Sequence, residues 1–425
     1  MLRMITYAPR DDLKAIKQRR QKLAIQSQQK KARSVLVLSV ALVFICASAF
    51  TYLLHFKQLP SATTYATIPQ TQTQQPNVTW PVIGSAAIGT DTGGVLATNG
   101  DQTPTPTASV TKVITALLVL QKHPLKTGES GPNIPITQAD VDSYNSYVSQ
   151  DGSSVPVAVG QQLSEYQALQ ALLLPSANNI ADTLAIWAYG SLDNYHQAAN
   201  QYTKRLGMNQ TTVGGDASGF KSSTVSTPRD LVLLGQAALK VPVMKEIVNQ
   251  KTADLPVAGT VKNVNALLGQ SGIIGIKTGN TTEAGGCFLF AAENEVAGKK
   301  VTLVGAVMKA PSLEAALADT PSLIASSMEN FETINVTKKG AAVGTYKTAW
   351  GSTAELVATQ NVSVFGWKAA KPQTALTITD TKSLGSTANI GELTAKTTLD
   401  SSSSPIQLNH TIAPPSLSWR FQNLR

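Results

Sequence analysis

The sequence contains few cysteines and histidines, and their scarcity restricts the chemistry open to the chain. Of 425 residues two are cysteine. Cys46 lies in a long apolar run and Cys287 stands alone far downstream, so no disulfide framework can hold the fold. The four histidines are scattered and lack triad-like neighbours: His55, His123, His196 and His410. The pattern argues against a Ser-His-Asp hydrolase and a metallopeptidase, and we expect no metal or other cofactor.

Charge is also scarce outside the N-terminal tail. Lys, Arg, Asp and Glu make up 14% of the chain, and residues 1–33 carry a net charge of +8 out of the total of +9. Residues 34–56 contain none of these four residue types, and the rest of the chain is nearly neutral. The basic balance therefore belongs to the tail and gives no indication of binding to nucleic acid.

The uncharged stretch 34–56 predicts a membrane-spanning helix. Its 23 residues suffice to cross about 30 Å of hydrocarbon, and the preceding basic tail 1–33 favours a cytoplasmic N-terminus and an exported body. A cleaved signal peptide is the alternative, because Ala47 and Ala49 flank Ser48 in the small-x-small form of a cleavage site. The apolar run continues beyond that point, which favours an uncleaved anchor in a cell membrane.

Three further regions follow the apolar run. Residues 57–79 are rich in Thr, Gln and Pro and predict a linker that holds the body away from the membrane. Residues 80–333 have strand patterns at both ends, which begin with a predicted hairpin over 83–97, and helical patterns between them, which include a helix start at Thr227. This arrangement indicates an α+β domain. In residues 334–425 helical periodicity disappears and Thr, Ser, Val and Gly predominate, as in a small all-β domain.

The first of three short motifs supplies a nucleophile and a base. Ser109 and Lys112 stand three residues apart at the predicted start of a helix, so the lysine amine can reach the serine hydroxyl. A lysine acts as a base only when burial or another cation lowers its pKa, and the apolar sequence around Lys112 together with Lys277 could do both. Taken alone, Lys112 would equally fit a solvated lysine on a helix surface.

The second motif adds a hydroxyl and an amide. Ser176 and Asn178 follow a predicted helix that ends at Pro175. They fit an ordinary helix cap, and they also fit a serine that relays a proton beside an amide that holds the substrate. The sequence of this motif alone leaves both interpretations open.

The third motif places a cation after a predicted strand. Lys277 and Thr278 could bind a terminal carboxylate, and Gly279 could let a substrate backbone lie close alongside. The backbone N–H groups of Ser109 and Asn280 would form an oxyanion hole. Together the three motifs supply the groups of a serine acyl-transfer enzyme that uses lysine in place of histidine.

Residues 80–331 resemble the D-alanyl-D-alanine carboxypeptidases, the low-molecular-mass penicillin-binding proteins of the serine DD-peptidase clan. The resemblance includes the three motifs in family order and longer blocks at 172–178 and 275–285. It implies an antiparallel sheet packed between helical layers, with a β-rich domain behind it. Two residues depart from the family pattern: Asn280 stands where many relatives carry His, and Asn179 stands where Asp is frequent.

By this resemblance the reaction removes the terminal D-alanine from peptidoglycan stem pentapeptides. A serine acyl-enzyme forms, D-alanine leaves and water hydrolyses the ester, and β-lactams acylate the same serine. The implied partners are the stem peptide, β-lactams as inhibitors and the membrane. The resemblance assigns catalysis to Ser109, Lys112, Ser176 and Asn178, and substrate binding to Lys277, Thr278, Gly279 and Asn280.

Two other functions fit the same motifs. A class A-like β-lactamase needs a glutamate for deacylation, and between Asn178 and Lys277 the sequence has only Glu246, in a helix-like context that indicates a structural role. A catalytically silent cell-wall-binding scaffold would keep the pocket. The intact Ser109 and Lys112 argue against it.

Overall fold

The computed structural model describes residues 10–56, 58–71 and 73–423. Its first element is one long helix, α1 (Arg10–Phe56), so the predicted span is the second half of a helix that also contains part of the basic tail. Residues 1–9 of that tail lie outside the described residues. Among the described helices, α1 is the one long and apolar enough to cross a membrane, and apolar side chains along it, such as Phe44, are exposed.

Nine further helices are described, and several of them begin at a residue whose side chain caps the helix. The predicted start at Thr227 is confirmed, because its hydroxyl accepts a hydrogen bond from the Asp230 N–H and Pro228 occupies the first helical position. The helices are α2 (Lys112–Lys122), α3 (Gln138–Val148), α4 (Glu165–Leu173), α5 (Asn178–Tyr189), α6 (Leu192–Arg205), α7 (Pro228–Leu239), α8 (Pro242–Val248), α9 (Leu313–Met328) and α10 (Leu417–Gln422).

Nineteen strands are described along the same residues. They are β1 (Thr63–Ala66), β2 (Ser85–Thr90), β3 (Gly94–Asn99), β4 (Thr105–Pro106), β5 (Asn133–Pro135), β6 (Gln162–Ser164), β7 (Val225–Ser226), β8 (Thr252–Leu255), β9 (Gly259–Lys262), β10 (Ile273–Thr281), β11 (Gly285–Val296), β12 (Lys299–Ala310), β13 (Phe331–Thr337), β14 (Ala342–Lys347), β15 (Thr353–Ala358), β16 (Val362–Trp367), β17 (Gln373–Ile378), β18 (Gly391–Lys396) and β19 (Ser401–Leu408).

A five-stranded sheet lies between two helical layers. Its order is β10-β11-β12-β2-β3, every neighbouring pair is antiparallel, and β2 and β3 form the predicted hairpin. One face, with Leu289 and Val304, shares a core with helices α2 and α4 to α8. The other face, with Phe288 and Phe290, packs against α9. The predicted α+β architecture is confirmed, and β10 forms one edge of the sheet.

The C-terminal region is built mainly of strands. A six-stranded sheet has the order β1-β14-β15-β19-β18-β17, and β13 pairs with β16 beside it. Its core includes the fully buried Val343, Tyr346 and Leu393. The predicted small all-β region is therefore confirmed, with the short helix α10 added at its end.

The segment 57–79, predicted as a linker, is partly structured. Strand β1 pairs antiparallel with β14, with Thr63 opposite Lys347. Further along, the Asn330 side chain donates to the Asn77 carbonyl at 2.8 Å and accepts from its N–H at 3.0 Å. A Thr-rich segment without a hydrophobic period can complete a sheet edge, so the described part of this segment makes ordered contacts, and its role as a linker stays a prediction.

The C-terminal helix contacts the end of α1. The Arg420 guanidinium donates a hydrogen bond to the Leu54 carbonyl at 2.7 Å, one of the last carbonyls of α1. The rings of Phe421 and Phe50 meet edge to face with centroids 5.8 Å apart. A cation is favourable at a helix C-terminus, so these contacts fix the C-terminal region to the end of α1 that continues into the body.

Candidate active site

The first motif lies where a tight turn enters a buried helix. Ser109 belongs to a 3-10 turn (Ala108–Thr111), and Lys112 is the first residue of α2. The Ser109 side chain is partly exposed, whereas Lys112 is completely buried. The spacing of three residues therefore brings a solvent-reachable hydroxyl onto a desolvated amine, as the sequence predicted.

The Lys112 amine has three hydrogen-bond partners. Its Nζ lies 2.8 Å from the Ser109 Oγ, 2.6 Å from the Asn178 Oδ1 and 3.1 Å from the Ser218 carbonyl oxygen. The Asn178 and Ser218 oxygens can only accept, so a neutral amine donates its two protons to them and directs its lone pair at the Ser109 hydroxyl. This geometry suits a base that takes a proton from the serine hydroxyl.

The surroundings of Lys112 favour the neutral amine. Burial lowers the pKa of Lys112 well below its usual range, and the nearby charge of Lys277 lowers it further. The carboxylates of Asp216 and Asp182 act in the opposite direction and raise the pKa. Burial is the largest of these effects, so the neutral amine is favoured. A neutral amine has a lone pair that can accept the proton of Ser109.

Ser176 presents a hydroxyl without a protein partner. It is 4% exposed, and its Oγ has no hydrogen-bond partner among the described residues. Its φ of +68° is rare for a residue with a side chain and carries conformational strain. Because Asn178 starts α5 two residues later and binds Lys112, the second motif lies beside the first rather than serving only as a helix cap.

The third motif lies within the edge strand, not after a strand as predicted. Strand β10 continues through Lys277, Thr278 and Gly279 to Thr281 by pairing with β11. Lys277 is 2% exposed, and its Nζ donates to the Thr278 carbonyl at 2.9 Å. Burial lowers the pKa of Lys277 to about 7.

Gly279 allows the edge strand to touch the nucleophile turn. A Cβ on this residue would lie 2.9 Å from the Ser109 nitrogen and 3.1 Å from the Thr107 carbonyl oxygen. The sequence predicted that the glycine makes room for a substrate backbone. In the structure the space beside its Cα is filled by the turn that carries Ser109, and the contact with a substrate backbone stays a prediction.

Thr278 and Asn280 occupy the remaining predicted positions on β10. Thr278 is 3% exposed and Asn280 is exposed at the outer end of the strand. In an antiparallel pair, every second residue directs its N–H and C=O away from the partner strand. Because β10 lies at the edge of the sheet, these outward groups face no second strand. The strand therefore has backbone groups available to pair with an extended ligand.

Two contacts at the site have no signal in the sequence motifs. The Ser218 carbonyl reaches Lys112 from a loop 106 positions along the chain. Asn179, noted above only as a departure from the family pattern, is fully buried and its amide binds both backbone groups of Val155, at 3.2 and 3.0 Å. Asn179 thus holds an extended segment, whereas its neighbour Asn178 contacts the base.

Glu246 has its hydrogen-bond partner outside the three motifs. It is on α8, and its carboxylate accepts a hydrogen bond from the Tyr166 hydroxyl at 2.5 Å. This contact fits the structural role predicted for Glu246. It gives no support to Glu246 as the deacylating glutamate of a β-lactamase.

Comparison with known proteins agrees with the family resemblance found in the sequence. The family model described as D-alanyl-D-alanine carboxypeptidase matches residues 71–312, which is more than half of the chain. The chain is 29% identical over 284 residues to the D-alanyl-D-alanine carboxypeptidase of Streptomyces sp. (strain K15), an alignment that covers 63% of this chain and 93% of that relative.

Solved structures agree in fold. The Streptomyces K15 DD-transpeptidase matches with a TM-score of 0.51 and 28% identity, covering 60% of this chain and 98% of its own. Penicillin binding protein 5 from Haemophilus influenzae is 18% identical, matches with a TM-score of 0.56 and covers 81% of this chain and 100% of its own, which supports the fold alone. The chain is a member of the D-alanyl-D-alanine carboxypeptidase family of serine peptidases.

Proposed function

We propose that this serine D-Ala-D-Ala carboxypeptidase trims the terminal D-alanine from peptidoglycan stem pentapeptides with Ser109 as nucleophile and Lys112 as base. The observation that carries the assignment is the completely buried Lys112 amine, 2.8 Å from the Ser109 hydroxyl oxygen. A neutral amine at that distance can remove the hydroxyl proton as the oxygen attacks.

Acylation begins with this proton transfer. The Ser109 oxygen attacks the carbonyl carbon of the penultimate D-alanine, and the Ser109 and Asn280 N–H groups stabilise the oxyanion. The C–N bond then breaks, its electron pair stays on nitrogen, and a proton reaches the departing D-alanine through Ser176. The unpartnered, buried Ser176 hydroxyl supports this relay, since a free hydroxyl can both accept and donate.

Deacylation uses water and the same base. Lys112 takes a proton from the water, the hydroxide attacks the ester carbon, and the C–O bond to Ser109 breaks with the proton returning to the serine oxygen. Asn178 keeps Lys112 aimed at the serine throughout, as its 2.6 Å hydrogen bond indicates. β-Lactams would follow the acylation step and form a slowly hydrolysed ester.

The substrate would lie along the free edge of β10. An extended peptide can pair with edge-strand backbone, and Lys277 with Thr278 would bind its terminal carboxylate. A cavity of about 390 Å³ lined by Tyr147, Phe220 and Glu283, among others, offers room for the rest of the stem peptide. Its residues belong to elements that adjoin the Ser218 loop.

We further propose a single-pass membrane location. Residues 1–33 would be cytoplasmic, residues 34–56 would span the membrane, and residues 80–333 and 334–425 would form the catalytic and β-rich domains outside. Support comes from the basic tail before the apolar run. The pairing of β1 with β14 and the contact of α10 with the end of α1 support a β-rich domain held at the membrane end of the body.

The proposed function is tested with the full-length chain in detergent micelles. A synthetic pentapeptide ending in D-Ala-D-Ala should release one equivalent of D-alanine per peptide, and a matched peptide ending in L-Ala-L-Ala should release nothing. The Ser109→Ala variant is the control. Absence of D-alanine release by a folded wild-type chain would contradict the proposal, and rapid multiple-turnover hydrolysis of penicillin would favour a β-lactamase.

A further inference from the structure

The buried carboxylate of Asp216 organises the loop 216–221, which contacts Lys112. Asp216 is 2% exposed and its Oδ1 accepts hydrogen bonds from the N–H and hydroxyl of Ser218 and from the N–H groups of Gly219 and Phe220. Its Oδ2 accepts from the Lys221 N–H at 2.7 Å. One side chain therefore satisfies most of the donors of the loop, and charged acceptors make the stronger hydrogen bonds.

The folded loop contacts both the base and the nucleophile turn. Its Ser218 carbonyl accepts from the Lys112 Nζ at 3.1 Å. Gly219, with a φ of +75°, lies so close to the Ala108 carbonyl and the Thr111 side chain that a Cβ could not be accommodated. A displacement of the loop would consequently move the acceptor that orients Lys112.

A second carboxylate ties the same loop to the helices. Asp182, on α5, accepts from the Ala217 N–H at 3.0 Å and from the Tyr147 hydroxyl at 2.7 Å. The Ala217 carbonyl in turn accepts from the Thr115 hydroxyl on α2 at 2.6 Å. The loop is thus attached to three helices, α2, α3 and α5, around the base.

We infer that Asp216, supported by Asp182, is a positioning residue for acylation: it holds the Ser218 carbonyl where that carbonyl directs the Lys112 amine at the Ser109 hydroxyl. The inference rests on the proposed roles of Ser109 and Lys112. Neither carboxylate contacts the serine, so both act through the lysine.

The two carboxylates also influence the charge of the base. Groups that face Lys112 are Lys277 from β10, Asp216 from the loop, and Asp182 from α5 with Tyr147 from α3 behind it. Burial and Lys277 lower the pKa of Lys112, and both carboxylates raise it. Burial also raises the pKa of the Asp182 carboxyl and of the Tyr147 hydroxyl. Removing one negative charge should therefore lower the pKa of Lys112.

The test measures the acylation rate of the full-length chain by fluorescent penicillin as a function of pH. For Asp216→Asn we expect the plateau acylation rate to fall about tenfold. The loop N–H groups lose one of the two carboxylate oxygens that accept from them, and Lys112 is misaligned as a result. We also expect the acid limb of the profile to move down by about one pH unit. The exposed Asp254→Asn should match the wild type in rate and profile.

An unchanged profile, or a uniform fall without a shift of the acid limb, would overturn the inference. If circular dichroism shows Asp216→Asn to be unfolded, Asp182→Ala decides, since it releases the Ala217 N–H and the Tyr147 hydroxyl. A lower plateau rate together with a downward shift of the acid limb supports the inference, and the absence of either overturns it. Failure of the proposed function would look different: the wild type would not acylate, or Lys112→Ala would acylate normally.

Discussion

Gly279 and Ser109 are in backbone contact, on two segments far apart in the sequence. A Cβ at Gly279 would lie 2.9 Å from the Ser109 nitrogen, closer than packed atoms tolerate. The edge strand and the nucleophile turn can therefore approach each other only with glycine at this position. Strand β10 and the turn that carries Ser109 thus meet at one residue that has no side chain.

The first prediction follows from this contact. Gly279→Ala should slow acylation by about 100-fold, because the added methyl separates β10 from the nucleophile turn by several tenths of an ångström. Stopped-flow labelling with fluorescent penicillin measures the rate. Gly385→Ala, at a position with open space around it, is the matched control and should acylate at the wild-type rate. A wild-type acylation rate for Gly279→Ala would show that the close contact between Gly279 and Ser109 is not needed to place the serine.

A second prediction separates two adjacent asparagines. Asn178→Ala removes a partner of Lys112 and should reduce acylation by about 100-fold with a small loss of stability. Asn179→Ala leaves both backbone groups of Val155 unpaired and should lower the free energy of unfolding by about 2–3 kcal/mol. Urea denaturation and labelling rates for both variants check the assignment, which a reversed pattern would refute.

A third prediction concerns the pH dependence of stability. Burial lowers the pKa of Lys277 from 10.5 to about 7, so between these values the unfolded chain binds more protons than the folded chain. Between about pH 7 and pH 10.5 the free energy of unfolding therefore rises with pH on account of Lys277. Below about pH 7 the folded chain carries the full cost of a buried ammonium group.

Lys277→Met should accordingly be more stable than the wild type at pH 6, on the order of a few kcal/mol, and should lose that advantage by about pH 10. Urea denaturation at the two pH values measures the difference. The exposed Lys262→Met serves as control and should parallel the wild type. A constant difference between Lys277→Met and the wild type would contradict the lowered pKa.

A fourth prediction addresses the segment between the anchor and the body. Because Asn330 binds both backbone groups of Asn77, residues 58–71 and 73–79 should resist limited proteolysis. Asn330→Ala should increase cleavage there several-fold at low protease concentration. Asn294→Ala, which removes a single contact at the exposed turn near Ser271, is the control. Rapid cleavage in the wild type would indicate a plain linker after all.

The sequence predicted what depends on local patterns. The Thr227 cap, the β2–β3 hairpin and the proximity of Ser109 to Lys112 each follow from signals within a few residues. It could not predict contacts made by backbone atoms from distant segments, such as the Ser218 carbonyl on Lys112. The partner that makes β1 a strand lies almost 300 residues away, so its own composition indicated only a linker.

The extent of β10 has a similar explanation. The apolar residues 273–276 predicted a strand that Lys277 follows, because the prediction rested on the apolar run alone. Pairing with β11 carries the strand to Thr281, and a buried lysine in it is tolerated because its pKa is lowered.

The most direct test of the account is to identify the residue that reacts with penicillin. The full-length chain is incubated with fluorescent penicillin and digested, and the labelled peptide is sequenced by mass spectrometry, beside Ser109→Ala. The account predicts one adduct, on Ser109, that persists for many minutes and is absent from the variant. An adduct on another residue, or none on a folded wild-type chain, would contradict it.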